Sequence, residues 1–72
     1  MTWHRLVEIP RRENVLFHYL IESHENAGIS STIGRAGDRL VIQCTTTLSA
    51  SFYFDRVIDG ILDEIARRRS AP

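Results

Sequence analysis

Lysine is absent from this chain: its nine basic residues are all arginine, and nine acidic residues bring the formal net charge to zero. Every cation is therefore a planar, forked donor set suited to carboxylate and phosphate, which a lysine ammonium is not. Cysteine occurs once, as Cys44. A single thiol excludes an internal disulfide framework and fits a reducing compartment. No apolar run approaches the roughly 20 residues that span a bilayer. The start, Met-Thr-Trp-His-Arg, carries no apolar leader core. These absences lead to the expectation of a cytoplasmic protein with no membrane contact.

What remains is ordinary for a folded domain: 43% hydrophobic and 25% charged residues over 72 positions. That length holds one domain, residues 1–72, with an ordered core of about 3–68 and a frayed tail at 69–72. A chain this short removes only about 60% of its unfolded surface from water, so its core is small.

The organising stretch is Ala27 to Thr46, where β-branched runs at Ile29–Ile33 and Leu40–Thr46 flank a Gly34–Gly37 turn. This is the pattern of a β-hairpin. Alternation puts Ile29, Ser31 and Ile33 on one side with Leu40, Ile42 and Cys44, which gives the hairpin one apolar face. Trp3–Ile9 reads as a first strand with Val7 and Ile9 inward. Pro10 then opens a helix that runs to about Asn26. Leu16, Leu20 and Ala27 form its stripe, widened by Phe17 and Ile21, and Ala27-Gly28 supplies a left-handed cap. Ser49 and Ser51 are the best cap residues before a second helix, Phe52–Arg68. Phe54, Val57, Ile58, Ile61, Leu62 and Ile65 make its apolar face. The acid-first pairs Asp63–Arg67 and Glu64–Arg68 support it from outside.

Strand, helix, strand, strand, helix has a simple right-handed solution, an α+β two-layer βαββα sandwich. Strand 3 lies between strands 1 and 2, giving an antiparallel sheet in the order 1-3-2 with two helices on one face. The layout is ferredoxin-like without its last strand. It leaves a sheet face bearing His4, Leu6, Glu8, Ser30, Thr32, Val41, Gln43 and Thr45 uncovered. It also leaves the outer edge of strand 1 (Trp3 to Ile9) open, and pairing two such edges would make a homodimer.

The stretch from Pro10-Arg11-Arg12 through Leu20-Ile21-Glu22-Ser23-His24-Glu25-Asn26-Ala27-Gly28-Ile29 to the second helix resembles the small ACT-type regulatory domains in element order. It is similar, too, to a family of short uncharacterised bacterial domains of βαββα order. Resemblance to ACT-type domains implies a regulatory module that takes small ligands, often amino acids, at a subunit interface. Such sites commonly lie near a glycine at the first strand–helix turn, which here is Ile9-Pro10-Arg11 and has none.

The layout also gathers charge. Arg11 and Arg12 open helix 1, Arg35 and Arg39 flank the hairpin turn, and Arg67, Arg68 and Arg69 end helix 2, all at one pole. Glu22, Glu25, Asp55 and Asp59 belong at the other. Cations in a first turn oppose the helix dipole, a broken local rule of the kind found at functional positions. The candidate site is therefore an anion site of Arg11, Arg12, Arg35, Arg39, Arg67 and Arg68. Backbone N–H groups and forked side chains there would hold a phosphate, a nucleic-acid backbone or an acidic partner.

Other chemistries lack a constellation. His18 and Glu22 make a usable pair without a third metal ligand, and no cofactor-cradling glycine loop precedes a helix. Cys44 points inward as a small hydrophobe, and no cleft places two carboxylates for acid–base work. The face positions Leu6, Thr32, Val41 and Gln43 carry no stacking aromatics of the kind that read RNA on such sheets. The expected function is a non-catalytic binding or regulatory module that acts through self-association, a protein partner or a small molecule. Phosphate or nucleic-acid binding at the arginine pole, or service as an accessory subunit of an enzyme, are the alternatives.

Overall fold

Alternation along Thr2–Pro10 produces β1, in which Val7 and Ile9 are buried while His4, Leu6 and Glu8 are exposed. A 3-10 turn at Arg11–Glu13 leads into α1, Asn14–Glu22, followed by β2, Ile29–Ala36, and β3, Arg39–Thr47. A second 3-10 turn at Leu48–Ala50 opens α2, Ser51–Ser70. This computed structural model describes residues 1–24 and 27–70, with side chains to residue 68. The three strands form one antiparallel sheet in the order β1-β3-β2, and both helices cover the same face. The architecture is the expected α+β layout, ferredoxin-like minus a strand.

The core lies beneath β1 and β3. Val7, Ile9, Ile42 and Cys44 from the sheet meet Phe17 and Ile21 of α1 and Phe54, Ile58, Ile61 and Ile65 of α2. Each large side chain taken out of water here contributes roughly 1.5–3 kcal/mol before entropy is counted. Trp3 closes one end, edge-on to Phe54 with ring centroids 6.2 Å apart.

β2 departs from the alternation reading. Ile29 pairs with Thr45, and Ser30 and Thr32 pair with Cys44 and Ile42. Opposed residues share a sheet face, so Ser30 and Thr32 point toward the helices and Ile29 points away, 66% exposed. The parity is set where the strand begins. Ala27 is fully buried, and Gly28 lies under the Phe54 ring so closely that a Cβ would come within 2.5 Å of it. A bulge then skips Ile33, leaving it 53% exposed, and Gly34 pairs with Val41 inside the strand rather than in the turn. The loop is only Gly37-Asp38, with Gly37 at φ 64°, a left-handed conformation that favours glycine.

The helix boundaries shift for local reasons. Pro10 is the last strand residue, opposite Arg39, and not the first helical one. α1 ends at Glu22 because Ser23 Oγ and His24 Nδ1 donate to the Leu20 carbonyl at 2.7 and 2.9 Å. The cap expected from Gly28 is thus replaced by side chains, and Asn26 lies outside the described residues. The apolar stripe of α1 centres on Phe17 and Ile21, with Leu16 only half-buried. Thr47, not Ser49 or Ser51, accepts from the Ala50 N–H at the start of the turn before α2. Helical backbone continues to Ser70, past the expected start of the frayed tail. No described helix is long and apolar enough to cross a membrane.

Candidate functional site

The pole of the molecule at which β1 ends is assembled by one backbone bond. The Arg11 N–H donates to the Asp38 carbonyl at 3.0 Å, tying the first strand–helix turn to the hairpin loop. Between them lies a concavity of about 400 Å³ lined by Pro10, Arg11, Arg12, Asp38 and Arg39. Three arginines and one aspartate thus line it. Arg11 has no ion-pair partner among the described residues, and Arg12 has only a loose one, Glu13 Oε1 at 3.8 Å from its Nε. Arg39 is held on the sheet, 3.6 Å from Glu8 Oε1 and donating through Nη2 to the Glu8 carbonyl at 3.1 Å.

Of the six arginines singled out by the sequence, Arg11, Arg12 and Arg39 line this concavity. Arg35 does not: its Nε folds back to the Gly37 carbonyl at 3.1 Å. Arg67 is occupied by Asp63 at 3.6 Å and Glu64 at 3.8 Å, so Glu64 pairs three residues on rather than with Arg68. The end of α2 does reach this pole. Leu62, Ile65 and Ala66 share a neighbouring groove of about 260 Å³ with Pro10 and Arg39, and Arg67 and Arg68 follow immediately. The side chain of Arg69 lies outside the described residues.

The helix start contributes less than its position promised. Arg11–Glu13 is a single 3-10 turn without a side-chain cap, and its first N–H is already spent on Asp38. Whatever this concavity holds, side chains would do the holding.

The acidic pole is weaker still. Asp55 and Asp59 are not free charges, because Arg5 Nη1 lies 2.8 Å from an oxygen of each. Burial disfavours the Arg5 cation, but the hydrogen bonds and charges of Asp59 and Asp55 outweigh it and raise its pKa. The cluster clamps α2 to β1. Glu22 is exposed at the end of α1, and Glu25 lies outside the described residues.

A second polar cluster was not legible beforehand. His18 sits between α1 and β2, its Nδ1 2.6 Å from Ser30 Oγ and its Nε2 3.1 Å from Thr32 Oγ1. Thr32 donates its own proton to Asn14 Oδ1 at 3.2 Å. Thr32 therefore accepts from Nε2–H, which leaves Nδ1 to accept from the Ser30 hydroxyl. A histidine against a serine resembles a nucleophile with its base, but Asn14 and Thr32 on the other side satisfy it as a strand clamp. The only signal for it was helical spacing, with Asn14 and His18 four residues apart.

Cys44 is fully buried opposite Arg5. Burial pushes its thiol up to about 11, with Arg5 pulling weakly the other way, which disfavours the nucleophilic thiolate. Among the described residues, no group of three or more His, Cys, Asp or Glu side chains is arranged to hold a metal ion. The chain matches no protein-family model, no curated protein and no solved structure.

Proposed function

We propose that this protein is a small non-catalytic binding module that takes an anionic group, phosphate or carboxylate, at its arginine pole. The observation that carries this reading is the convergence of Arg11, Arg12 and Arg39 on one concavity whose lining, among the described residues, includes a single acidic residue, Asp38. Forked donors from two different elements suit an anion with several oxygens. The site occupies the first strand–helix turn, which lacks the glycine beside which ACT-type domains commonly take small ligands, so the regulatory role implied by that likeness enters the proposal without their ligand site. Polyphosphate and a short single-stranded oligonucleotide, titrated against the labelled chain at low and moderate salt, test it. Binding should weaken steeply with salt, and an Arg11→Ala/Arg12→Ala double variant should lose about tenfold in affinity and flatten that slope. Absence of binding at low salt removes the reading.

A second reading, a regulatory module working through self-association, is favoured by a separate observation: β1 is an edge strand with nine regularly paired residues and no bulge.

A further inference from the structure

We infer that two copies of this chain pair through the outer edges of β1, antiparallel about a two-fold axis at Leu6, to form one continuous six-stranded sheet. The inference rests on the self-association reading and adds which edge, which register and which contacts.

The choice of edge follows from how each is protected. Edge strands offer unpaired backbone groups, and stable proteins blunt them with bulges, proline, charge or a covering element. β2 is blunted by the bulge at Ile33 and by Gly34 within the strand. β1 runs from Thr2 to Pro10 without a register break, and its proline comes only at the end. In a ferredoxin-like layout the place beside β1 belongs to an antiparallel strand, and a second β1 supplies one.

The register follows from symmetry and charge. A two-fold axis perpendicular to the sheet keeps each side chain on its own face. Opposed residues must then have numbers of the same parity, and both helical layers fall on one side. An axis at Arg5 would set two arginines against each other. An axis at Val7 would leave Thr2 and Trp3 unpaired and put Glu8 against an apolar Leu6. With the axis at Leu6, all nine residues pair. Leu6, 59% exposed in one chain, then covers Leu6 of the second copy. His4 faces Glu8 of the second copy at two symmetric positions, and the Arg39 guanidinium, which donates to the outward-pointing Glu8 carbonyl at 3.1 Å, would share that acceptor with the new ladder. Hydrogen-bonding polar pairs and apolar pairs directly across an antiparallel ladder are stabilising, whereas like charges are not.

Disulfide trapping in the full chain reads the register directly, because directly opposed residues have Cα atoms about 4.5–5.5 Å apart, within disulfide reach. Native Cys44 is buried and does not compete. Under mild oxidation, Leu6→Cys should give a covalent dimer. His4→Cys mixed with Glu8→Cys should cross-link while neither does so alone, and Ile29→Cys on the other edge should not. By sedimentation the wild type should be a dimer, and Leu6→Lys, a change at an exposed position, should raise its dissociation constant at least tenfold. A wild type that stays monomeric at millimolar concentration overturns both this inference and the self-association reading. A dimer that cross-links through Ile29→Cys, or through His4→Cys alone, overturns the edge or the register and leaves self-association standing.

Discussion

β1 pairs with β3 through nine consecutive residues, whereas β2 pairs through seven and skips Ile33. β1 also buries Val7 and Ile9, while no residue of β2 is fully buried. The two flanks of one sheet are thus attached by different forces. β1 is held by apolar area and by the Arg5 clamp to α2. β2 is held by its ladder and by hydroxyl–imidazole bonds to α1. Apolar burial is non-directional and tolerates small shifts, while hydrogen bonds demand geometry and add only about 1 kcal/mol each. In a molecule this small, β2 is the part that should open first.

The sharpest way to break that comparison is to truncate one isoleucine of the shared apolar core, on the central strand, and one of β2. Ile42→Ala removes a fully buried side chain from beneath both helices and should lower the unfolding free energy by about 2–5 kcal/mol. Ile33→Ala, at the exposed bulge, should change it by less than about 0.5 kcal/mol. Urea denaturation measures both, and equal losses would mean that β2 carries as much of the core as β3.

The core under β1 and β3 should also respond to alkali through Cys44. The thiol's ordinary value is 9.0 and the folded chain raises it to about 11, so the folded state favours the neutral form. That stabilisation is complete below pH 9, where neither state ionises. It is then lost as pH rises from 9 to 11, at up to about 1.4 kcal/mol per unit, as the unfolded thiol releases its proton first. The stability gap between the wild type and Cys44→Ala should therefore narrow across that window and stay constant between pH 6 and 8. A gap that does not move would place the thiol in contact with water.

Much of this was legible in the sequence because two apolar periods, one of two residues and one of nearly four, are interrupted by Pro10 and by the hairpin glycines. The element order and the sheet order follow from those alone, and so does the meeting of Arg11, Arg12 and Arg39 at one end. The facing of β2 was not legible. A strand with isoleucines at alternate positions announces an apolar side, but its parity is fixed by Gly28 lying under Phe54, residues 26 positions apart. One residue of shift turned Ser30 and Thr32 inward and Ile29 outward. Arg35 and Arg67 left the concavity for a comparable reason. Their topology was right, but a carbonyl and two carboxylates within reach claimed their side chains.

His18 makes the smallest prediction and the one most specific to β2. Replacing it with alanine removes both imidazole bonds to Ser30 and Thr32, at 2.6 and 3.1 Å, and leaves two hydroxyls facing α1. Thr32 retains its bond to Asn14, and the strand's partly exposed position lets water take up Ser30. The global loss should thus be about 0.5–1.5 kcal/mol. Its distribution matters more than its size. Because β1, β3 and α2 share the apolar core and His18 does not contribute to it, amides of β2 should exchange several-fold faster in His18→Ala, while those of β1 keep their protection against all but global unfolding. Uniformly faster exchange along all three strands would mean that the sheet opens as one unit, with the polar flank no weaker than the apolar one.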